Sequence, residues 1–217
     1  MKQLFPGVWK QGNQLFTENL VPGSKTFTKS LVKVKGKEFR EWNPYRSKAA
    51  AALVNGLGTF PLRKGAQILY LGISSGSTAS FFSDIIGKGG IIYGVEISER
   101  SIRDVTALAE QRKNIVPILA NAKLPASYAW VEPVDVVYQD VATNDQSDII
   151  ARNAQQFLKP RGTAMIAIKS RSIDVVKKPE AVFQQEMKRL SRSFIIIEKL
   201  RLEPYEKDHL FAVMKLK

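Results

Sequence analysis

A glycine-rich turn is the first segment of this sequence with the residue types of a ligand site. The apolar run at residues 68–71 leads into GISSGST at residues 72–78, and helix-forming residues follow. The next apolar run, at residues 91–95, ends in Glu96. In a parallel sheet the turn and the acid would both lie at the carboxyl ends of strands, where ligands bind. A carboxylate there can accept hydrogen bonds from the two hydroxyls of an adenosine ribose.

Three interpretations of the glycine turn compete. A dinucleotide site is typical of G-x-G-x-x-G, whereas Ser74 occupies the second glycine position here and would hold a pyrophosphate poorly. S-Adenosylmethionine has no phosphate, and hydroxyls such as those of Ser77 and Thr78 suit its amino-acid end. A purely structural turn is the third interpretation, because serines at such positions are often helix caps. The pattern as a whole favours S-adenosylmethionine.

A second group of residues has the types needed for proton transfer. Asp140 and Lys169 each end an apolar, strand-like run, Lys48 lies on a helix-forming segment, and His209 is the one histidine of the chain. An aspartate can hold a lysine by charge, and a second nearby cation lowers the pKa of a lysine and makes it a better base. Spacing alone does not establish a site, because a lysine at a strand end is usually solvated.

Alternating strand-like and helix-like segments from residue 44 onwards would position these residues. The predicted strands are residues 68–71, 90–96, 115–120, 134–140, 162–169, 193–202 and 210–215. The predicted helices are residues 77–86, 99–112, 145–158 and 179–190, and a further helix should open at Asn43-Pro44. This alternation predicts a mostly parallel sheet with helices on both faces. The last two strands are joined by too few residues for a crossover helix, so they should pair antiparallel.

The N-terminal part of the chain has a different pattern. Short apolar pieces are broken by turn residues, for example GN at residues 12–13 and PGS at residues 22–24. We therefore predict a small antiparallel β domain at residues 1–43, followed by an α/β domain at residues 44–217.

Charge and composition narrow the classes of partner. Lys and Arg total 33 and Asp and Glu 20, a net charge of +13, and such an excess attracts nucleic acid. A basic protein without a polyanionic partner is the alternative. The absence of Cys excludes a disulfide framework and a cysteine zinc site, and no metal site is predicted. No apolar run suggests a signal peptide or a transmembrane helix, so we expect a cytoplasmic protein with no membrane partner.

Five segments give the chain a specific resemblance to archaeal fibrillarins, the methyltransferases of box C/D guide ribonucleoproteins. They are NLVPG at 19–23, WNPYRSK at 42–48, YLGISSG at 70–76, AIKSRSID at 167–174 and LEPYEKDH at 202–209. The last two are not general methyltransferase motifs. The resemblance implies a Rossmann-like class I S-adenosylmethionine methyltransferase sheet with an antiparallel C-terminal edge strand, behind a small antiparallel β domain. It also implies methylation of ribose 2′-hydroxyls in rRNA and tRNA.

The resemblance assigns roles to individual residues. It implies a catalytic group of Lys48, Asp140, Lys169 and His209. It implies cofactor contacts at Gly72, Ser77, Thr78, Glu96, Ile97, Asn121, Ala122, Asp140, Val141, Ala142 and Thr143.

Two of these positions depart from the family pattern. Asn121, expected near the adenine amino group, replaces the usual Asp, and its carbonyl can still accept a hydrogen bond without the charge. Thr143 replaces a frequent Gln, which leaves the contact with the methionine end open.

The resemblance also implies partners. These are a box C/D guide RNA that pairs with the substrate RNA, a Nop-family scaffold protein, and a kink-turn-binding ribosomal-type protein. Two other functions stay open from the residues alone. The same cofactor site would serve methylation of protein side chains such as glutamine amides, and a non-catalytic RNA-assembly module could keep a vestigial pocket. The presence of all four catalytic candidates argues against the second of these.

Overall fold

Five short strands form an antiparallel sheet in the computed structural model, which describes residues 1–217. Its strands are β1 (Lys2–Phe5), β2 (Val8–Gln11), β3 (Gln14–Glu18), β4 (Leu31–Val34) and β5 (Lys37–Trp42), in the order β1-β2-β3-β5-β4. The predicted antiparallel β module at this end of the chain is confirmed. The boundary between two domains after residue 43 stays a prediction.

Seven strands form the second sheet, in the order β11-β12-β10-β9-β6-β7-β8. They are β6 (Gln67–Leu71), β7 (Ile91–Glu96), β8 (Ile115–Leu119), β9 (Val134–Gln139), β10 (Leu158–Lys169), β11 (Phe194–Arg201) and β12 (His209–Leu216). β6 to β10 pair in parallel, and β12 pairs antiparallel with both β10 and β11. The predicted α/β fold class is confirmed.

One detail of the predicted sheet is corrected. The C-terminal strand β12 is antiparallel as expected, but it lies between β10 and β11, so the edge strand is β11. Burial explains the order, because six successive residues of β12 are buried whereas exposed residues alternate along β11. A strand buried on both faces is better placed inside a sheet, and a half-exposed strand tolerates the edge.

Six helices connect or follow the strands. They are α1 (Lys48–Val54), α2 (Ser77–Ile86), α3 (Glu99–Gln111), α4 (Gln146–Phe157), α5 (Ser170–Ile173) and α6 (Pro179–Leu190). The four predicted helices 77–86, 99–112, 145–158 and 179–190 are present as α2, α3, α4 and α6, and the single turn α5 was not predicted. β10 also begins before the predicted residue 162, with a register shift between Leu158 and Thr163.

A helix was predicted to begin at Asn43-Pro44, and this predicted start is wrong. Asn43 does accept a hydrogen bond from Tyr45 N, but it caps only a 3₁₀ turn, Pro44–Arg46. Ser47 then adopts an extended backbone, and its side chain accepts from Ala50 N, so Ser47 is the N-cap of α1. Two capping residues stand close together here, and the second one begins the α-helix. Lys48 is therefore the first residue of α1.

Apolar side chains form a separate cluster on each face of the seven-stranded sheet. Ile68 and Tyr70 of β6 belong to one cluster, whereas Leu69 and Leu71 belong to the other, as the pleat of a strand requires. Helices α1, α2 and α3 cover the first face, and α4 and α6 cover the second. The N-terminal sheet adds Trp42 to the first cluster. No helix has the length and apolar character needed to cross a membrane.

Candidate active site

A cavity of about 780 Å³ lies at one edge of the seven-stranded sheet. Parallel strands bring their carboxyl ends to this edge, and antiparallel β12 brings its amino end there. All predicted site residues line this cavity: Lys48, Gly72, Ser77, Thr78, Glu96, Ile97, Asn121, Ala122, Asp140, Val141, Ala142, Thr143, Lys169 and His209. Their individual roles stay predictions.

The glycine turn after β6 packs closely on the backbone of Asp140 at one end and on the side chain of Leu108 in α3 at the other. Gly72 has a φ of +77°, and a Cβ on it would lie 2.7 Å from the carbonyl oxygen of Asp140. Gly76 has a φ of +85°, and a Cβ there would lie 2.5 Å from Leu108 Cδ2. Larger residues would push the turn away from these neighbours, so glycine is required at both positions.

The amino end of α2 faces the same cavity. Its N-cap is Gly76, which offers no side-chain cap, so the helix-cap interpretation of Ser77 and Thr78 is wrong. Thr78 instead donates its hydroxyl to Ser47 Oγ at 2.9 Å. Backbone N–H groups in the first turn of a helix have no partner within the helix, and they attract a carboxylate.

Glu96 is fixed by three backbone donors. One carboxylate oxygen accepts from Ser74 N at 2.8 Å, and the other accepts from Ile97 N and Ser98 N, both at 3.0 Å. A carboxylate has about four lone-pair sites, so one site is left for a ligand hydroxyl, on the oxygen that accepts from Ser74 N. The three bonds orient Glu96 at the end of β7, where the ribose hydroxyls of an adenosine were predicted to lie.

The two residues that depart from the family pattern both lie in the cavity wall. Asn121 Oδ1 accepts a hydrogen bond from Lys123 N at 2.9 Å, and a carbonyl oxygen has a second lone pair. The carbonyl oxygen of Thr143 accepts from Gln146 Nε2 at 2.7 Å. Asn121 can therefore still accept from an adenine amino group, while Thr143 is held by its backbone.

Lys48 and Asp140 form an ion pair at the cavity. Lys48 Nζ lies 2.9 Å from Asp140 Oδ2, and the two side chains are 22% and 23% exposed. Burial acts to lower the pKa of Lys48, but the charge and hydrogen bond of Asp140, together with Glu206, outweigh it and raise that pKa above its ordinary value. Lys48 is therefore protonated at neutral pH. The expectation that a second cation lowers a lysine pKa does not hold for Lys48.

His209 is a neutral base in the same wall. Its Nδ1 lies 2.7 Å from the carbonyl oxygen of Lys207, and a carbonyl only accepts, so Nδ1 carries the proton. Its Nε2 is then an acceptor, and it is buried without a partner in the chain. Burial and the charge of Lys48 lower the pKa of His209 below its usual value, against the opposing effect of the Lys207 carbonyl, Glu206 and Asp140. An unpaired buried acceptor is uncommon and points to a site of function.

Lys169 is a cation of the site that has no carboxylate partner. It ends β10, pairs in register with His209 on β12, and forms no salt bridge in the structure. Its backbone is held by Gln146, whose Oε1 accepts from Lys169 N at 3.0 Å and whose Nε2 donates to Lys169 O at 3.2 Å. The same amide reaches Thr143 O, so one buried side chain ties the catalytic candidate to the turn at residues 140–143.

Three polar residues of this site that were not predicted are Gln146, Arg46 and Glu206. Gln146 positions Lys169, while Arg46 and Glu206 line the cavity. A polar residue in the first turn of a helix is ordinary, so Gln146 carried no signal. Arg46 and Glu206 lie in the segments WNPYRSK and LEPYEKDH that carry the family resemblance, close to the predicted residues Lys48 and His209, and this position was the available indication.

Taken together, the residues fit S-adenosylmethionine. An oriented carboxylate at Glu96, an amide at Asn121 and the exposed apolar side chain of Ile97 suit an adenosine. The amino end of α2 suits the carboxylate of an amino acid.

Comparisons with known proteins agree with this geometry. The family model described as Fibrillarin matches residues 1–217. A fibrillarin-like rRNA/tRNA 2′-O-methyltransferase of Pyrococcus furiosus is 50% identical over 221 residues, which are 99% of this chain and 97% of that relative.

Two solved structures are also similar. Aeropyrum pernix fibrillarin in complex with natively bound S-adenosyl-L-methionine has a TM-score of 0.86 at 45% identity, over 93% of this chain and 89% of that chain. A chain from a fibrillarin/Nop5p complex has a TM-score of 0.91 at 36% identity, over 100% of both chains.

Proposed function

The chain belongs to the fibrillarin family, and from this premise we propose that it methylates ribose 2′-hydroxyls of rRNA and tRNA with S-adenosylmethionine as methyl donor. The observation that carries the proposal is one cavity that joins an adenosine-type site at Glu96 to the Lys48–Asp140 pair, Lys169 and His209. A donor and an acceptor hydroxyl can therefore be aligned in one place, which is the main requirement for a displacement reaction.

The cofactor site divides between the adenosine and the amino-acid end. We assign the ribose hydroxyls to Glu96, the adenine amino group to Asn121, and the amino-acid end to Ser77, Thr78 and the amino end of α2. Two turns form opposite walls of the cofactor site: the glycine turn at Gly72, and the turn of Asp140, Val141, Ala142 and Thr143. Ile97 and Ala122 supply apolar contacts. S-Adenosylmethionine, when bound, supplies an activated methyl group on a sulfonium.

The four catalytic candidates have different roles in orienting the substrate and in accepting its proton. Lys48 is protonated because of its ion pair with Asp140, so it orients Asp140 and the substrate and is not the proton acceptor. Lys169 has no competing salt bridge and can donate a hydrogen bond to the ribose. His209 is neutral and has an unpaired Nε2. The proton of the 2′-hydroxyl then goes to Nε2 of His209 or, if Lys169 has first lost its own proton, to Lys169, and the pH profile described in the Discussion separates the two.

A Nop-family protein is a partner, because a chain of nearly the same fold is part of a fibrillarin/Nop5p complex. We propose further that a box C/D guide RNA selects the substrate by base pairing and that a kink-turn-binding ribosomal-type protein completes the particle. The net charge of +13 supports contact with RNA phosphates. Since rRNA and tRNA are the proposed substrates, the proposed place of action is inside the cell.

Methyl transfer by a reconstituted particle tests the function. The particle contains this chain, a Nop-family scaffold, a kink-turn-binding protein and a guide RNA, and it receives methyl-labelled S-adenosylmethionine and a complementary RNA. We expect label at the 2′-oxygen of the nucleotide selected by the guide, and none with a non-complementary RNA. Label in protein side chains instead would favour a protein methyltransferase, and label in neither would favour a non-catalytic assembly module.

Calorimetric titration tests the cofactor separately. We expect the chain to bind S-adenosylmethionine and not NAD, because Ser74 stands where a dinucleotide turn needs glycine. Binding of NAD with no binding of S-adenosylmethionine would overturn the cofactor assignment.

A further inference from the structure

Two of the four cations in the cavity lining have no carboxylate partner. The four are Arg46, Lys48, Lys123 and Lys169. Lys48 and Lys123 each form a salt bridge with an aspartate, at 2.9 and 3.0 Å, whereas Arg46 and Lys169 form none. Lys169 already has a proposed role at the ribose, but Arg46 has none. An arginine stays charged in proteins, so Arg46 keeps a positive charge at the cavity that no salt bridge balances.

Arg46 lies on the side of the cavity that holds the catalytic candidates. It stands two residues before Lys48, whose Nζ contacts Asp140 at the end of β9. Its 3₁₀ turn also packs on the connection before β12, because the ring centroids of Tyr45 and Tyr205 are 4.9 Å apart. The adenosine-type site lies at the end of β7, which β6 separates from β9. Arg46 is therefore closer to the reacting hydroxyl of a substrate than to the adenosine.

The backbone of Arg46 is fixed between two caps, while its side chain is exposed. Arg46 N donates to Asn43 O at 3.1 Å, within the turn that Asn43 caps. The next residue, Ser47, is buried and accepts a hydrogen bond from Thr78 Oγ1 at 2.9 Å. The guanidinium of Arg46 thus extends from a fixed point into the open part of the cavity, where a large substrate has access to it.

The cofactor does not supply an anion for this position. S-Adenosylmethionine carries one carboxylate, which we assign to the amino end of α2, and its sulfonium adds a further positive charge. A negative charge opposite Arg46 must therefore come from the RNA. Arginine suits a phosphate in particular, because its planar fork can donate two parallel hydrogen bonds to it.

The chemistry of RNA identifies the phosphate. The 2′ and 3′ oxygens are on adjacent carbons of one ribose, so the phosphodiester on the 3′ oxygen is the phosphate nearest the reacting hydroxyl. Phosphates lie on the outside of a paired strand, so pairing with a guide RNA leaves this group accessible. We propose that Arg46 binds the phosphodiester on the 3′ side of the ribose that is methylated and so positions its 2′-hydroxyl. This inference rests on the proposed RNA methyltransferase function and adds a substrate-binding residue to it.

A double-mutant cycle between Arg46 and that phosphate tests the proposal. The reconstituted particle receives a substrate made of two RNA strands that pair with the guide and meet directly after the target nucleotide. The upstream strand ends in either a 3′-phosphate or a 3′-hydroxyl, so the two substrates differ by one phosphate. We expect Arg46→Ala to lower kcat/KM about tenfold when the phosphate is present, the cost of a hydrogen bond to a charged group. Without the phosphate, the same substitution should change kcat/KM less than about twofold, because the contact is already absent.

Matched substrates and variants separate this contact from general attraction. A break without a phosphate on the 5′ side of the target nucleotide is the RNA control, and there Arg46→Ala should still cost about tenfold. Arg46→Lys keeps the charge but not the fork, so its loss should be intermediate. Arg192→Ala is the protein control, because Arg192 is also exposed and forms no salt bridge, but it precedes β11 at the opposite edge of the sheet. It should leave kcat/KM unchanged on every substrate.

Each other outcome overturns a specific part of the proposal. Coupling of Arg46 to the 5′ phosphate would overturn the assignment to the 3′ phosphate. Equal losses on all substrates with a raised Kd for S-adenosylmethionine would mean that Arg46 binds the carboxylate of the cofactor, and equal losses with weaker particle assembly would mean that it binds the scaffold protein. In each of these cases the proposed function would stand. Failure of the wild-type particle to methylate even unbroken RNA would instead overturn the proposed function.

Discussion

Two aspartates in this chain are each held by basic side chains, in opposite surroundings. Asp84 on α2 pairs with Arg40 at 2.8 Å and with Arg112 at 2.7 Å, and all three side chains are 0% exposed. Asp140 pairs with Lys48 at 2.9 Å, and these side chains are 22% and 23% exposed. The first cluster lies between the N-terminal sheet and helices α2 and α3, and the second lies in the cavity wall.

The two clusters differ in the hydrogen bonds of the carboxylate and in the kind of atom that is left without a partner. Both oxygens of Asp84 have further donors, since Thr17 Oγ1 donates at 2.6 Å and Leu20 N at 3.0 Å. Burial lowers the pKa of Arg40 to about 10 against the attraction of Asp84, so it stays charged at neutral pH. The atom without a partner is a donor in the buried cluster, Arg112 Nε, and an acceptor in the open cluster, His209 Nε2.

The comparison separates a cluster that stabilises from one that can react. Arginine does not release its proton in proteins, and a buried carboxylate with all its acceptor sites filled cannot accept one. A lysine and a neutral histidine can exchange protons, and an unpaired acceptor in a cavity wall can accept a hydrogen bond from a substrate. We therefore expect substitutions in the buried cluster to change folding and those in the open cluster to change catalysis.

The largest expected effect is on stability, from Asp84→Asn. Two buried arginine charges would remain without their carboxylate, and breaking such a pair costs about 3–5 kcal/mol. Since Arg40 belongs to β5 and Asp84 to α2, the loss should affect the N-terminal sheet and the main sheet together. We expect one cooperative denaturant transition with a lower free energy of unfolding.

Glu18→Gln is the control for this prediction. Glu18 lies in the same N-terminal sheet and pairs with Lys37 at 2.8 Å, but the side chains are 38% and 58% exposed. An exposed pair of this kind contributes about 0–1 kcal/mol. Equal losses for Glu18→Gln and Asp84→Asn would contradict the structural role of the buried cluster, and two separate transitions would contradict joint unfolding.

Asp140→Asn should lower the methylation rate strongly and leave the stability of the fold nearly unchanged. The amide removes the charge that holds Lys48 in place, and loss of an oriented group in the transition state typically lowers a rate about 10²- to 10⁴-fold. Because the pair is partly exposed, the free energy of unfolding should change by less than about 1 kcal/mol. Single-turnover methylation and denaturant unfolding, measured on the same preparation, check both halves. A variant with normal methylation and reduced stability would place Asp140 with Asp84 as a structural residue.

The pH dependence of the rate separates His209 from a lysine as the proton acceptor. The folded-state pKa of His209 lies below 6.5, so the ring is neutral at higher pH and gains a proton only as the pH falls through that lowered value. If His209 accepts the proton, the single-turnover rate is lost below pH 6.5 and is level through neutral pH. His209→Gln should then lower the rate about tenfold or more and remove the acidic limb.

A lysine acceptor would give a different profile. The rate would rise with increasing pH, since only a lysine that has lost its proton can accept another, and His209→Gln would leave that rise unchanged. Lys169→Arg, which keeps the charge but does not release a proton in proteins, would then abolish this rise.

The same contrast shows what the amino-acid sequence can and cannot predict. Gly72, Glu96, Asp140 and Lys169 were predictable, because the carboxyl ends of parallel strands meet at one edge and each of these residues follows or ends a strand. That regularity depends only on local pattern and on a general rule of sheet topology.

The buried cluster follows no such rule. Arg40 and Asp84 are 44 residues apart and Arg112 and Asp84 are 28 residues apart, and each residue alone is of a type that is mostly exposed. Gln146 was missed for the same reason, because its partners Thr143 and Lys169 meet only in the folded chain. The position of β12 inside the sheet likewise depends on burial of both its faces, which the short connecting turn does not determine.

The smallest expected effect comes from Asn121→Asp. This substitution adds a negative charge to the cavity wall and leaves the buried cluster of Asp84, Arg40 and Arg112 unchanged. The carboxylate would keep the hydrogen bond that Oδ1 now accepts from Lys123 N at 2.9 Å. It would also accept from the adenine amino group more strongly, since charge-assisted hydrogen bonds are roughly twice as strong as neutral ones. We expect the Kd for S-adenosylmethionine to fall about three- to fivefold, with unchanged stability, as measured by calorimetric titration and thermal unfolding.

Asn144→Asp, a nearby change of the same charge outside the cavity lining, is the control and should leave the Kd unchanged. Equal tightening by both substitutions would show that general electrostatic attraction, and not a hydrogen bond at Asn121, recognises the cofactor.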